Sequence, residues 1–367
     1  FPAAAKTYHT LLQTTPDFAD AASNLGVVNM RLGRLEEAAS LFEDLTRSEA
    51  ATAKTWFNLA MVRDRQKRTD DAVCALERAL SLRPDYAEAK SMLRHHYQKS
   101  CAWSRLARLE ATIDEMALRS EEDGRTAETP FTSLVTSEAP ALNLRAARSW
   151  AAFLQRRHPP LFDHSRQPDK DGRPLTVAYL SGDIRDHPVA HLTRGLFPAH
   201  DRDRFRINLY SYGSDDGSDY RKAIAEGCDC VVDIRGLGHD AAARRIQADG
   251  TDILVDLNGW TQGNRLAIPA HRPAPVQVSY LGFPGSTGAD FFDYAIVDRT
   301  VAPESQSAYF SECPAYMPHS YLVADDRQEI AAQPMSRSDC GLPEHGTVFC
   351  SFNASWKFEP ELFAVWM

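Results

Sequence analysis

The segments that directly follow short apolar runs contain the residue types that can bind or transform a ligand. In SGDIRDHPVAHL, His187 stands immediately before Pro188. Pro is favoured at the first position of a helix, so either Asp186 or His187 is expected at the helix cap. His187 then lies near the end of the strand, where a neutral imidazole can accept a proton or hydrogen-bond a hydroxyl. His191 lies one turn further along; it is either functional or packed. The H-x-x-x-H spacing also suits a metal, but no third ligand is evident nearby, and no metal is predicted.

A second segment, VDLNGWTQG, follows another apolar run. Asp256 is expected at the end of a strand, and Asn258-Gly259 at a tight turn that exposes Trp260 and Thr261. Amide, hydroxyl and aromatic groups together suit the recognition of a sugar or a peptide. The alternative is a simple turn beside a packed Trp.

The third segment, LGFPGSTGADFFD, is rich in small residues, with Gly282, Gly285 and Gly288 at intervals of three. Such a loop lets a ligand approach backbone N–H groups. It is not a Walker loop, because no Lys follows the glycines. The alternative is an awkward turn with no ligand.

The last segment, HGTVFCSFNASWKFEPELF, predicts a strand over TVFCSF and a helix that starts near Glu359-Pro360. Lys357 lies between them. A lysine beside a helix N-terminus suits a diphosphate, whereas a surface lysine that extends past Trp356 is the alternative.

From Leu175 onwards, strand-like runs alternate with helical patterns, and this alternation predicts the fold that positions these segments. Short β-branched or aromatic runs are separated by helical patterns; the runs are LTVAYLSGD, RFRINLYSYG, DCVVDI, DILVDLNG, APVQVSYLGF and FFDYAIVD, and the helical segments are PVAHLTRGLFPAH, SDYRKAIAEG and HDAAARRIQADG. This pattern indicates a parallel sheet covered on both faces. Ligands bind such sheets at the carboxyl ends of the strands, where the segments above begin.

The N-terminal part of the chain is a repeat. TPDFADAASNL begins at Thr15 and RPDYAEAKSML at Arg83, which is 68 residues later, or twice 34. The same period relates three sets of positions: Leu25, Leu59 and Leu93; Ala4, Ala38 and Ala72; Tyr8, Phe42 and Leu76. This is the tetratricopeptide period, with small residues where paired helices cross. Such pairs stack into a superhelix with a concave groove.

Asn24 and Asn58 are related by the same period, as are Gly26 and Ala60. The two asparagines either face the groove and hydrogen-bond an extended peptide, or merely cap and pack between helices. The array therefore indicates a protein or peptide partner and no chemistry of its own.

Between the repeat and the sheet, the pattern predicts one long helix over residues 100–117 and another over 141–157. Residues 120–140 and 158–174 are polar, Pro-bearing and predicted as loops. The chain opens at Phe1 and stops at Met367 within helical patterns, so we expect it to be part of a longer protein.

Composition narrows the function classes. With 43% hydrophobic and 25% charged residues, the chain is globular, and its 367 residues are too long for one ordinary core. The net charge of −9 argues against a general nucleic-acid binder, and no apolar run suits a membrane helix. Seven scattered cysteines without a C-x-x-C pair favour reduced thiols and a cytoplasmic location.

Taken together, the motifs resemble those of the bacterial branch of the O-linked N-acetylglucosamine transferases. Tetratricopeptide repeats are followed, in order, by VAYLSGDIRDHPVAHL, ILVDLNGWTQG, RPAPVQVSYLGFPGSTG, DYAIVD, AYMPHSY and FNASWKFEP. The resemblance implies repeats over 1–99, a helical linker region over 100–172, the N-terminal Rossmann-like lobe of a GT-B glycosyltransferase over 173–335, and the truncated start of the second lobe over 336–367.

The resemblance also implies roles for residues. Lys357 matches a lysine that contacts the donor diphosphate, and His187 a histidine proposed as catalytic base. The sugar pocket is implied to contain Leu281, Gly282, Pro284 and Gly285, and the acceptor side Asn258, Thr261 and His191. Ala354 departs from the pattern, since animal members carry Gln there.

The implied reaction moves N-acetylglucosamine from UDP-GlcNAc to a Ser or Thr hydroxyl of a protein, with inversion and without a metal or other cofactor. Either His187 or a phosphate oxygen takes the hydroxyl proton. Two alternatives stay open: a Spindly-type O-fucosyltransferase that uses GDP-fucose, and a repeat scaffold with a decayed catalytic lobe. Nucleic acid and membrane are not expected partners, and the sequence leaves homo-oligomerisation open.

Overall fold

The computed structural model describes residues 2–49, 51–113, 124–164, 172–328 and 332–367. The chain divides into two compact units. We call them the helical unit, Phe1–Arg119 with Phe349–Met367, and the sheet unit, Ser120–Val348. Within the described residues, no helix is both long and apolar enough to cross a membrane.

The helical unit contains a succession of antiparallel helices of similar length. They are α1 (Pro2–Thr14), α2 (Ala19–Arg31), α3 (Leu35–Arg47), α4 (Ala53–Arg65), α5 (Thr69–Leu82), α6 (Ala87–Lys99) and the shorter α7 (Trp103–Glu110). The 34-residue periodicity is confirmed, because the register positions Leu25, Leu59 and Leu93 are all buried. A Cβ on Gly26 of α2 would lie 2.6 Å from the Phe42 ring of α3, so the small residue permits this close crossing.

The asparagines of the repeat have unequal surroundings. Asn24 is exposed, whereas Asn58 is buried and its Nδ2 has no hydrogen-bond partner among the described residues. Their role towards a peptide remains a prediction.

Three predictions about local structure were wrong. The helix predicted over 100–117 is α7, which ends at Glu110; the chain then turns, and residues 114–117 lie outside the described part. The loop predicted over 120–140 contains α8 (Pro130–Thr136), which Thr129 caps by accepting a hydrogen bond from the backbone of Thr132. Helix α9 (Pro140–Arg157) matches the prediction over 141–157.

The third wrong prediction is the strand over TVFCSF. Residues 347–352 form no strand, and the side chains of Phe349 and Phe352 are 91% and 98% exposed. A strand needs a neighbour to receive its backbone hydrogen bonds, and no described strand pairs with this segment. The predicted helix at Glu359-Pro360 is present as α14 (Pro360–Trp366).

The sheet unit is built on one parallel sheet, as predicted. Its strands are β1 (Leu175–Ser181), β2 (Phe205–Ser211), β3 (Cys230–Asp233), β4 (Ile253–Asp256), β5 (Val276–Ser279), β6 (Tyr294–Val297) and β7 (Cys313–Tyr316). Their spatial order, β3-β2-β1-β4-β5-β6-β7, is that of a doubly wound Rossmann-like fold. The sequence did not predict β7, an edge strand that contains Pro314.

Helices cover both faces of the sheet, and alternate residues of the strands pack on each. Val177 and Tyr179 of β1 lie in the cluster that includes α10 (Pro188–Thr193) and α11 (Asp219–Glu226). Ala178 and Leu180 lie in the opposite cluster with α12 (His239–Ala248) and α13 (Ala267–Ala270). Strands buried on both faces account for the continuous apolar runs in the sequence.

Candidate active site

The site lies where β1 and β4 are neighbours, at their carboxyl ends. The connections that leave these strands diverge, one towards β2 and the other towards β5, and such a divergence opens a crevice beside the sheet. The segments SGDIRDH and LNGWTQG follow β1 and β4, and LGFPGSTG follows β5, the strand beside β4. The three segments singled out in the sequence therefore begin at adjacent strand ends.

His187, one of the two residues predicted for this position, caps α10. Its Nδ1 accepts a hydrogen bond from the backbone N–H of Val189 at 3.3 Å, and Pro188 takes the first helical position. Burial lowers the pKa of His187, and the nearby carboxylate of Asp183 opposes that shift without cancelling it. At neutral pH the imidazole is therefore neutral. Because Nδ1 is an acceptor, the single ring proton lies on Nε2.

Asp183 connects the segments that follow β1 and β4. Its Oδ1 lies 3.7 Å from Nε2 of His187, and its Oδ2 accepts a hydrogen bond of 2.6 Å from Nδ2 of Asn258. Asn258 is buried and also accepts through Oδ1 from the backbone N–H of Gly182 at 3.0 Å. The Asn258 amide thus bridges the ends of β1 and β4. Both its oxygen and its nitrogen make hydrogen bonds within the protein, which fix its orientation.

Thr261 belongs to the same network. Its hydroxyl donates to the backbone oxygen of Asn258 at 2.9 Å and lies 3.3 Å from Nδ2 of that residue. The half-buried hydroxyl retains acceptor capacity, since an –OH has two lone pairs. His187 and Asn258, which the sequence singled out separately, therefore meet at Asp183, and Thr261 is joined to them through Asn258.

Asp256, at the end of β4 as predicted, organises the turn beneath this network. Its Oδ2 accepts hydrogen bonds from the backbone N–H groups of Asn258 and Gly259, at 3.3 and 2.6 Å. Burial raises the pKa of this carboxyl to about 7, with a further contribution from the charge of Asp183. Its Oδ1 has no partner among the described residues.

The prediction that the turn exposes Trp260 was wrong. The side chain is buried, its Nε1 donates to the backbone oxygen of Thr287 at 2.8 Å, and its ring packs edge-on against Trp150 of α9. Trp260 is therefore an anchor that ties the turn after β4 to the glycine-rich loop. The order of polar and apolar residues in so short a segment does not reveal which side chains of a turn face the core.

The glycine-rich loop packs tightly on the turn after β4. A Cβ on Gly282 would lie 1.9 Å from the backbone oxygen of Leu257, and a Cβ on Gly259 would lie 2.4 Å from Cβ of Phe283. Leu281 has a positive φ of 68°, which is rare for a branched residue and often marks a functional segment. The glycines at 259 and 282 thus make room for protein atoms.

Pro284 and Gly285 form the tip of this loop. Pro284 is exposed, and Gly285 lies near the Leu134 side chain of α8. Beyond them, Glu312 is buried and accepts hydrogen bonds from the backbone N–H of Thr287 and from the hydroxyls of Thr287 and Ser286. These hydroxyls are therefore hydrogen-bonded within the protein, and Glu312 holds the glycine-rich loop in place.

His191 has different neighbours from His187. Its Nε2 lies 2.6 Å from Oδ1 of Asp186, and its ring lies 4.1 Å from that of Tyr220. The two histidines of the H-x-x-x-H spacing therefore interact with different carboxylates, which gives no support to a shared metal.

Lys357 belongs to the helical unit, in a short 3-10 helix over Ser355–Lys357. It is exposed, and its Nζ lies 5.3 Å from the centre of the Trp356 ring. The 3-10 helix packs within its own unit: the Ser355 hydroxyl donates to the backbone oxygen of Lys99, and Nε1 of Trp103 donates to that of Phe358.

Two residues that support the site, Asp183 and Glu312, were not predicted from the sequence. Asp183 was overlooked although SGD follows a strand, and a polar residue at that place is a usable signal. Glu312 has no such signal, because it comes 24 residues after Gly288 and only the fold brings it beneath the loop.

Comparison with known proteins agrees with this architecture. Residues 150–334 match the family model described as glycosyl transferase family 41, and residues 1–51 and 30–87 match tetratricopeptide repeat models. The chain is 33% identical over 288 residues to the probable UDP-N-acetylglucosamine–peptide N-acetylglucosaminyltransferase SEC of Arabidopsis thaliana, covering 75% of this chain and 30% of that protein.

Two further relatives point the same way. A UDP-N-acetylglucosamine–peptide N-acetylglucosaminyltransferase of Caenorhabditis elegans is 36% identical over 172 residues, covering 47% of this chain and 15% of its own length. The structure of a mutant O-GlcNAc transferase from Thermobaculum terrenum superposes with a TM-score of 0.57 at 25% identity, covering 99% of this chain and 61% of that one. The chain thus spans less than a third of the length of the Arabidopsis and C. elegans relatives.

Proposed function

Because the chain belongs to glycosyl transferase family 41, we propose that the protein carrying it transfers N-acetylglucosamine from UDP-GlcNAc to Ser or Thr hydroxyls of proteins. The observation that carries this proposal is the Asp183-centred network at the β1/β4 switch point, within the region that matches the family. Relatives whose names state this donor and a peptide acceptor support the same substrates.

The reaction breaks the bond between the anomeric carbon and the diphosphate oxygen and forms a bond from that carbon to the acceptor oxygen. The hydroxyl proton must leave, and a nucleoside diphosphate departs with negative charge. We propose direct displacement with inversion, in which the carbon acquires positive character and both charges are stabilised by fixed protein groups.

His187 is suited to positioning rather than to removing the proton. Its Nδ1 is occupied by the N–H of Val189, and its Nε2 carries the remaining proton, so the neutral ring offers a donor and no free lone pair. A donor at this position holds an oxygen of the sugar or of the phosphate. The proton then passes to a phosphate oxygen of the donor.

Asn258 and Thr261 would present the acceptor side. The Thr261 hydroxyl has a free acceptor position, and the Asn258 amide keeps the hydroxyl in place. Leu281, Gly282, Pro284 and Gly285 would line the sugar, since their loop is seated on the turn after β4.

Lys357 would stabilise the departing diphosphate. It is an exposed ammonium that belongs to a short structured segment, and a cation supplies this stabilisation without a metal. We accordingly propose no metal or organic cofactor for turnover. Addition of Mg²⁺ or Mn²⁺ should leave the rate unchanged.

The helical unit would hold the acceptor polypeptide in its groove, with a cytoplasmic location in keeping with free cysteines. The exposed Asn24 side chain is a group that a peptide backbone can satisfy, whereas the unpaired Nδ2 of Asn58 is buried and becomes available to a peptide only if the surrounding side chains move. Replacing both by Ala should raise KM for a long acceptor more than for a short peptide.

The experiment is to incubate the full-length protein with UDP-GlcNAc and a Ser/Thr peptide and to weigh the peptide. A gain of one N-acetylhexosamine is expected, and it should be absent with a peptide in which Ala replaces Ser and Thr. GDP-fucose serves as the control donor. A gain of deoxyhexose instead would reassign the donor, and no gain with either sugar would favour a non-catalytic scaffold.

A further inference from the structure

A cluster of potential metal ligands lies in the sheet unit, apart from the residues named above. His158 ends α9, Asp240 lies in the first turn of α12, and His271 ends α13. One nitrogen or oxygen atom from each lies within 4.8 Å of the others. In the part of the chain that the structure describes, no other three His, Cys, Asp or Glu side chains come this close together.

His271 is the most constrained of the three. Its side chain is only 3% exposed, and its Nδ1 lies 2.8 Å from the backbone oxygen of Pro159. A carbonyl oxygen only accepts, so Nδ1 carries a proton. In a neutral ring, Nε2 then has a lone pair, and that lone pair is directed towards the rest of the cluster.

The lone pair on Nε2 of His271 and the nearby carboxylate of Asp240 would both be stabilised by a cation. This Nε2 lies 3.0 Å from Oδ1 of Asp240, yet it makes no hydrogen bond of acceptable geometry with any described residue. A buried polar atom without a partner is costly, and two electron-rich atoms at this separation repel each other. A metal ion bound to both removes the two costs at once.

The supporting contacts are those of a metal-bound histidine. Such a histidine usually donates its second N–H to a carbonyl or carboxylate, which fixes the ring and its tautomer, and the Nδ1 contact with Pro159 has this form. The backbone is fixed as well, because the N–H of Leu161 donates to the oxygen of His271 at 3.0 Å. The His158 ring is held nearly perpendicular to that of His271, with centres 5.3 Å apart.

We propose that His158, Asp240 and His271 bind one Zn²⁺ ion, with water in the fourth position. Two imidazoles and a carboxylate favour a borderline transition metal over Mg²⁺ or Ca²⁺, which prefer oxygen ligands. The Asp240 carboxylate is 66% exposed, so an ion reaches the site from solvent. Bound there, it ties the ends of α9 and α13 to the start of α12.

The competing occupant of the site is a proton. A doubly protonated His271 would form an ion pair with Asp240 and leave no room for a metal. The two occupants differ in what they bind from solution: a metal ion adds to the protein with defined stoichiometry, and a proton does not.

The test uses the chain stripped of metal with a chelator. Zn²⁺ affinity is measured by competition with a chromogenic chelator for the wild type, for Asp240→Asn and for Asp219→Asn. Asp219 is the matched control, since it is an exposed acid in the first turn of α11. Both variants remove one negative charge from a helix start, but only Asp240→Asn removes a ligand.

We expect the wild type and Asp219→Asn to bind one more Zn²⁺ than Asp240→Asn, or to bind it at least tenfold more tightly. Co²⁺ bound at this site should give visible absorption without a thiolate charge-transfer band, which separates it from binding at the free cysteines. Zn²⁺ should also raise the Tm of the wild type and not that of Asp240→Asn.

A difference of less than tenfold between Asp240→Asn and Asp219→Asn would overturn the proposal, as would Co²⁺ spectra that show only thiolate ligation. His158→Ala provides a second ligand variant outside the buried core, and it should reproduce the loss. None of these measurements depends on transferase activity.

Discussion

Asp256 should make the stability of the sheet unit fall as the pH rises. The carboxyl is buried and its pKa is raised from 3.8 to about 7, chiefly by burial. In the unfolded chain the group ionises near pH 4, so between about pH 4 and 7 the folded state binds the additional proton. Its stabilising effect is therefore complete below about pH 4 and is lost as the pH rises towards 7.

The magnitude follows from the shift. One pKa unit corresponds to about 1.4 kcal/mol, and a shift of roughly three units gives a total of about 4 kcal/mol. Between pH 5 and 8 this amounts to about 3 kcal/mol. Several histidines, such as His187 and His239, have lowered pKa values and act in the opposite direction, so the wild-type profile alone is not diagnostic.

Asp256→Asn isolates the effect. Its amide oxygen can still accept from the N–H of Gly259, and it has no charge to titrate. Urea unfolding of the wild type and this variant at pH 5, 6, 7 and 8 should give a difference in free energy of unfolding that grows in favour of the variant by about 3 kcal/mol. The exposed Asp219→Asn is the control and should not reproduce this growth, because no burial opposes its charge in the folded state.

A pH-independent difference between Asp256→Asn and the wild type would refute this reasoning. It would mean that the carboxyl stays ionised in the folded state and that the two backbone N–H groups outweigh burial. Carboxyl carbon shifts from Asp-labelled protein measure the same pKa directly.

Three further substitutions test the site. His187→Asn keeps a side-chain acceptor for the Val189 N–H and removes the Nε2 donor. If His187 positions the substrate through one hydrogen bond, kcat/KM should fall about tenfold while the free energy of unfolding stays nearly unchanged. A loss of 10²-fold or more in kcat would instead show that His187 acts as the base. Gly282→Ala places a methyl against a backbone oxygen and should lower the free energy of unfolding in denaturant by about 1–3 kcal/mol or more. Gly285→Ala meets only side chains, at 3.3 Å or more, and should cost far less; equal costs would contradict the packing described. Glu312→Gln leaves buried donors short of an acceptor and should destabilise by about 1–3 kcal/mol, so an unchanged unfolding midpoint would show that these hydrogen bonds are dispensable.

The fold was largely predictable because its elements are locally encoded. The strands of the sheet unit are buried on both faces, which makes them continuous apolar runs. The exception was β7, in which Pro314 weakens the strand pattern; Pro is tolerated there because β7 is at the edge of the sheet. Helix α8 has a local signal too, since Thr129 and Pro130 are a cap and a first helical residue, but its polar surroundings suggested a loop.

The site was less predictable, because its order depends on contacts between distant segments. His187, Asn258 and Thr261 could be chosen by residue type and by their places after strands. That Asp183 joins them follows only from the pairing of β1 with β4, in which Val177 lies beside Ile253, 76 residues later in the chain. The burial of Trp260 likewise depends on α9, whose position no local pattern reveals.

The reciprocal glycine contacts have a consequence for protein engineering. Gly282 leaves room for the carbonyl of Leu257, and Gly259 leaves room for Phe283, so each loop is shaped by the other. Transplanting either loop alone into another parallel-sheet scaffold would place it against a surface that does not fit. The two loops are one exchangeable module, and libraries that vary donor specificity should diversify them jointly.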